Sequence, residues 1–369
     1  MDCVSSSAFG CSGGKGRGGG GGGGGGRRRR RSRLYGVCLF FCLCFSAAVA
    51  GPATRPPPPV YASSPTKGDI DSSLYYPADA SCLMAAIKTA TTAILSQRQS
   101  RAATLLRLVF HDCMTKGGGC DASILKPAEI NNPVNDGLSK VVDIITAVRK
   151  QAATQCGVLP TLADTIARAA AAAVSFSGLG DVVASGFKLG RRDVAPSQTG
   201  DNPATLPNEN QPLDDILNSF ASFGLSVQES TVWSIGGHSI GEAGCIHFTN
   251  RLNTSGGAGS CLPPVDPTLD PVLACKLAAT CAAGAKGANF DFVTPKVLDV
   301  TYFQLLLKKQ GLLKSDQAFA GNARTAAYIQ LYANSPGQFA ADFLAAYVKV
   351  SLFNINGPTT APPTQYYFP

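Results

Sequence analysis

Leu105-Leu106-Arg107-Leu108-Val109-Phe110-His111-Asp112-Cys113 reads as helix, and it sets an arginine and a histidine four residues apart on one helix face. Far along the chain, Ser234-Ile235-Gly236-Gly237-His238-Ser239-Ile240-Gly241 places a second histidine beside two glycines. The chain has only 3 histidines, so two of them in such settings are hard to attribute to chance. A neutral imidazole accepts and returns a proton. A guanidinium stays charged and offers a fork of N–H donors. An imidazole flanked by glycines is a candidate metal ligand. The third histidine, His247, lies close after Cys245 and is expected to be structural or solvated.

The chain has 369 residues, 45% hydrophobic and 15% charged, which suits a large buried core. The N-terminus differs in kind. Gly18 to Gly26 is an unbroken glycine tract, Arg27 to Arg31 and Arg33 follow, and an apolar run extends from Leu34 to Val49. Ala48-Val49-Ala50 supplies small residues at a cleavage spacing, so residues 1–50 read as a leader ending in a secretory signal peptide. A retained membrane anchor is the alternative, and the run is somewhat short for it. A nucleic-acid-binding arm fits less well, because the arginines abut an apolar segment. Residues 1–50 carry eight Lys/Arg against one Asp, net +7 of the chain's +8. The basic character therefore belongs to the leader, and no nucleic-acid partner is expected for the rest.

A proline-rich linker (51–72) precedes the body (73–356), and a proline-rich tail (357–369) follows it. Apolar residues recur at helical spacing in Leu213–Phe223, Val141–Ala153, Ala163–Ser175 and Phe339–Phe353. Convincing strand alternation is lacking, which predicts a mainly α fold. Five of the 13 cysteines lie in the leader. The even remainder suggests disulfides in a secreted chain. Asn253-Thr254-Ser255 is an acceptor sequence for N-glycosylation at Asn253.

Arg107 and His111, His238, Cys120-Asp121-Ala122-Ser123-Ile124-Leu125, Leu189-Gly190-Arg191-Arg192-Asp193, the Asp291/Thr294/Asp299 spacing and Gly311-Leu312-Leu313-Lys314-Ser315-Asp316-Gln317 occur together and in order. In these segments the chain resembles the plant haem peroxidases, the secreted class III branch most closely, from about Tyr75 to Asn356. The resemblance implies a single two-lobed, mainly α-helical domain with haem b between distal and proximal lobes. It implies that Arg107 and His111 cleave peroxide, with Asn135 orienting His111, Asn131 and Asn132 being nearby competitors for that role, and Phe110 as the distal aromatic residue. His238 would ligate iron, backed by Asp316 and Phe290, and Gly236 and Gly237 would let the backbone approach the macrocycle. Two calcium ions are implied. Asp112, Gly119, Asp121 and Ser123 would hold the distal one, with Glu129 joining through water. Ser239, Asp291, Thr294, Val297 and Asp299 would hold the proximal one. Pro207 falls at the aromatic-donor site. The implied disulfides are Cys82–Cys156, Cys113–Cys120 and Cys245–Cys281, which leaves Cys261 to Cys275, with Gly256 to Gly259 at the tip of their loop.

The chain departs from that pattern in places. The spacer between Cys113 and Cys120 is longer than usual, so the carbonyl ligands there are open to change. Leu162 stands where a cysteine is usual, and no cysteine follows Cys281 to pair with one. Ser185 replaces a common tryptophan. The expected activity is reduction of hydrogen peroxide with one-electron oxidation of small phenolic donors, by a secreted, extracellular or wall-bound monomer without stable membrane contact. An ascorbate-type peroxidase is opposed by Phe110 and Phe290, where that branch has tryptophans. A catalytically silent matrix protein is opposed by the intact Arg107, His111, His238 and Asp316.

Overall fold

The computed structural model describes residues 79–115, 118–197, 199–255 and 261–353. The leader, the 51–72 linker, the 357–369 tail and the 256–259 loop tip lie outside the described residues. The first group of helices comprises α1 (Ala80–Gln97), α2 (Arg101–Cys113), the short α3 (Pro127–Ile130), α4 (Val142–Cys156) and α5 (Leu162–Phe176). Helix α1 packs on α4 and α5, and α2 packs on α5. Helix α5 is buried almost all round, and its run of alanines lets neighbouring helices come close.

The second group comprises α6 (Leu213–Ser222), α7 (Val227–Gly237), α8 (Pro271–Ala282), α9 (Thr301–Leu307), α10 (Lys314–Gly321), α11 (Ala326–Asn334) and α12 (Pro336–Val350). Here α12 packs on α7, and α11 on α9. The four periodic stretches coincide with α6, α4, α5 and α12. Helix α12 begins earlier than its apolar pattern, at Pro336, because proline is preorganised for the first helical turn. Two short strands, β1 (Glu242–Gly244) and β2 (Gly287–Asn289), pair antiparallel with Glu242 opposite Asn289.

Four disulfides join this frame. Cys82–Cys156 ties α1 to α4, and Cys113–Cys120 closes the loop after α2. Cys245–Cys281 ties the end of β1 to α8, and Cys261–Cys275 is nested inside it.

A buried ion pair links the first group to the residue just past α12. Asp164 on α5 and Arg191 are both fully buried, with Arg191 Nη1 2.9 Å from Asp164 Oδ1. The Asp164 carboxylate also accepts the backbone N–H groups of Gly190 and Arg191. Arg191 Nε and Nη2 donate to the carbonyl and the hydroxyl of Ser351, just past α12. Asp193 accepts the N–H groups of Leu162 and Ala163 at the start of α5. The Gly190–Asp193 segment is therefore an architectural clamp. Asp164→Ala leaves an unpaired buried guanidinium, and it should destabilise the fold by about 3–5 kcal/mol, read from the denaturant midpoint. An unchanged midpoint would show that the pair does not hold the frame.

Candidate active site

Helix α2 brings Arg107 and His111 one turn apart, as their spacing requires. His111 is buried, and its Nδ1 lies 2.6 Å from Asn135 Oδ1. Asn135 is buried too, and its Nδ2 donates to the carbonyl of Glu129 at 2.8 Å. That second bond fixes the amide with its oxygen toward the ring. A carbonyl oxygen can only accept, so the Nδ1 of His111 carries the proton and Nε2 keeps its lone pair. Arg107 Nε lies 3.2 Å from that Nε2, while Nη1 and Nη2 donate to the carbonyls of Asp136 and Val134. Burial, then the charge of Arg107, pushes the His111 imidazolium down to about 3, against the opposing pull of Asn135. The ring is therefore a neutral, oriented proton acceptor at ordinary pH.

His238 follows the last turn of α7, whose start is set by a capping box between Ser226 and Glu229. Its Nδ1 lies 2.9 Å from Asp316 Oδ2, and Asp316 on α10 is buried. A third of the His238 side chain stays accessible, so one edge of the ring is tied to a buried carboxylate while another is open. Phe290 stacks on the imidazole, 4.2 Å between centroids and 6° from parallel. Phe110 meets His111 edge-on and also touches Phe220 of α6. Helices α2 and α7 make contact, so the two histidines come from adjoining elements of the two groups.

The glycines before His238 divide the role expected of both. A Cβ on Gly236 would press on the Phe339 and Phe343 rings at 2.7–2.8 Å, so this glycine serves close packing against α12. A Cβ on Gly237 would meet nothing within 4 Å. Only Gly237 borders open space. Trp233 packs on Phe343 and Tyr347 in the core rather than on His238.

Two sets of oxygens flank the histidines. On the distal side, Asp112 accepts the N–H groups of Ala122 and Ile124, and Asp121 accepts that of Ser123. Burial pushes the Asp121 carboxyl up to about 6 and Glu129 up to about 7, and the neighbouring charge of Asp201 adds to both. Asp112 is raised by burial and then by Asp121. The Gly119 carbonyl accepts the N–H of Asp121 at 2.9 Å. On the proximal side, Ser239 Oγ donates to the carbonyls of Val297 and Asp299. Asp291 accepts from Val293 N, Thr294 N and Thr294 Oγ1. Among the described residues, no three His, Cys, Asp or Glu side chains stand at metal-binding spacing. The donors are nevertheless hard oxygens suited to calcium. Glu129 Oε1 is buried without a hydrogen-bond partner, as an oxygen reserved for a cation or its water would be.

Pro207 lies in a half-buried loop whose Glu209 accepts from His247 at 3.0 Å. His247 is half-exposed and hydrogen-bonded to that carboxylate. Asn253 is half-buried beside the exposed Thr254. Two residues escaped the sequence reading. Tyr302, fully buried, donates its hydroxyl to Asp316 Oδ2 at 2.8 Å. In Thr301-Tyr302-Phe303 it looks like an ordinary core aromatic. Asp201 stands beside Ser123 and Glu129, and in Gly200-Asp201-Asn202 it looks like a turn residue.

Known proteins share this arrangement of sequence. The family model described as peroxidase matches residues 87–335. A basic peroxidase of Zinnia elegans is 32% identical over 287 residues, covering 76% of this chain and 84% of that protein. A lignin-forming anionic peroxidase of Nicotiana sylvestris is 33% identical, covering 72% of this chain and 80% of that protein. Peroxidase 55 of Arabidopsis thaliana is 32% identical, covering 74% and 82%.

The Tyr302 contact has a measurable consequence. Tyr302→Phe removes a buried donor to a carboxylate, and it should cost about 1.5–3 kcal/mol of stability by chemical denaturation. A loss within error would mean that Asp316 finds a replacement donor.

Proposed function

Because this chain belongs to the peroxidase family, in its class III plant branch, we propose that it is a secreted haem peroxidase that reduces hydrogen peroxide at the expense of small phenolic donors. The observation that carries this reading is the pairing of Arg107–His111–Asn135 with His238–Asp316 on adjoining helices. Haem b supplies two-electron reduction of peroxide and one-electron oxidation of donors. The half-open ring of His238, with Asp316 behind it and Gly237 beside open space, suits the iron ligand. His111 takes the proton from one peroxide oxygen at Nε2 and returns it to the other. Arg107 stabilises the charge on the departing oxygen. Asn135 holds the tautomer that leaves Nε2 basic.

Calcium fits both oxygen sets. Asp112, Gly119, Asp121 and Ser123 would hold one ion, with Glu129 joining through water at its unpartnered Oε1, and Ser239, Asp291, Thr294, Val297 and Asp299 the other. Pro207 would border the donor approach. Phenolic donors are supported by the Nicotiana relative, which is described as lignin-forming. Secretion is supported by the disulfides and by the leader sequence at 1–50, followed by a linker and the 73–356 body. No helix among the described residues is long and apolar enough to cross a membrane. Phe290 stacked on His238, and Trp233 in the core, favour phenolic donors over ascorbate. Haem content and guaiacol turnover of the purified chain test the reading. Haem-free protein, or haem-loaded protein without turnover, would overturn it.

His111→Ala should slow reaction with peroxide by about 10²–10⁴-fold with haem retained, read by stopped flow. His238→Ala should lose haem or hold it loosely. The peroxide rate should be flat through neutrality and fall only as pH drops toward about 3, where His111 takes a proton. The same shift has a sign for stability. The folded pKa lies below the unfolded value of roughly 6.5, so the stabilisation is whole above 6.5 and is lost as pH falls from there through about 3. A rate that halves near pH 6.5 would place the base elsewhere.

A further inference from the structure

Two carbonyls of the loop between Cys113 and Cys120 accept hydrogen bonds from nearby backbone. Gly118 N donates to the Thr115 carbonyl, and Asp121 N donates to that of Gly119. Each of these two oxygens therefore has one lone pair left for a cation beside Asp112, Asp121 and Ser123. A second segment supplies another oxygen. After the clamp at Asp193, the backbone runs back beside Asp121, with Val194 N donating to the Asp121 carbonyl at 2.7 Å. It then reaches Asp201, whose Oδ2 accepts from Ser123 Oγ at 3.1 Å. Asp201 N donates to Glu129 Oε2 at 2.5 Å, leaving Oε1 of the same buried carboxylate without a partner.

Glycines make this approach possible. Gly200 has φ +105°, and a Cβ there would press on Glu129 at 2.9 Å. The volume that a side chain at Gly118 would fill is taken by the Asp201 carboxylate. Three segments thus converge: the loop ending at Ser123, Glu129, and Gly200-Asp201.

We propose that Asp201 is a calcium ligand, and that this chain completes its distal calcium shell with a carboxylate from the segment after Asp193. The unpartnered, buried Glu129 Oε1 marks where the ion or its bound water lies. The proposal rests on reading Asp112, Asp121 and Ser123 as a calcium site. An added carboxylate raises affinity by charge, so its removal should weaken that site in particular.

The test is calcium binding to full-length holoenzyme, by metal analysis and chelator competition, for wild type, Asp201→Asn and Gly118→Ala. The second variant keeps every carboxylate but displaces Asp201. Both should weaken one of two calcium sites by about tenfold or more and leave the other unchanged. Both should lower Tm in excess calcium, and Asp201→Asn should leave Tm in EGTA unchanged. Wild-type affinity in Asp201→Asn, or an equal Tm loss with and without calcium, would reduce Asp201 to a clasp on Ser123 and overturn the proposal alone. Wild type that binds no calcium would overturn the calcium reading beneath it.

Discussion

The Asp164–Arg191 pair is the contact on which most of the architecture depends. Neither charge reaches water, so each must be matched by the other and by fixed hydrogen bonds. Those bonds run to Gly190, to Lys188 and to Ser351, so a single guanidinium holds α5, the segment before Asp193 and the end of α12. Phe187 lies under the same guanidinium, 4.7 Å from its ring centroid. Asp193, two residues on, caps α5 from outside. From this fixed point the backbone leaves toward Asp121 and Ser123. The oxygens beside His111 thus inherit their positions from a contact in the core.

The two histidine systems show how one side chain is given two characters. His111 donates to a neutral amide oxygen, which orients the ring without adding negative charge. His238 donates to a carboxylate that is itself held by Tyr302 and Ser315. An anionic acceptor makes the opposite nitrogen a stronger electron donor, and a neutral one leaves it an ordinary base. The proposed roles, proton carrier for His111 and iron ligand for His238, would follow from these partners.

Much of this was legible in the chain. Helical periodicity located α4, α5, α6 and α12, because one-sided burial writes itself at that period. The Arg107/His111 spacing and the two glycines before His238 were local enough to read directly. What escaped was information carried by approach across space. Tyr302 is fully buried and lies in an apolar run, so nothing local distinguishes its hydroxyl contact from core packing. Asp201 reaches Ser123 over 78 residues of separation. Gly236 serves the rings of α12, a contact that no spacing near His238 reveals.

The reach of Arg191 also bears on how the chain is made. Its Nε and Nη2 find their partners at Ser351, 160 residues further on. At ordinary elongation rates those residues take on the order of 10–30 s to emerge. Until then the Nε and Nη2 groups of Arg191 lack the protein acceptors they meet in the folded chain. The clamp around Arg191 is thus completed only after α12 has been made.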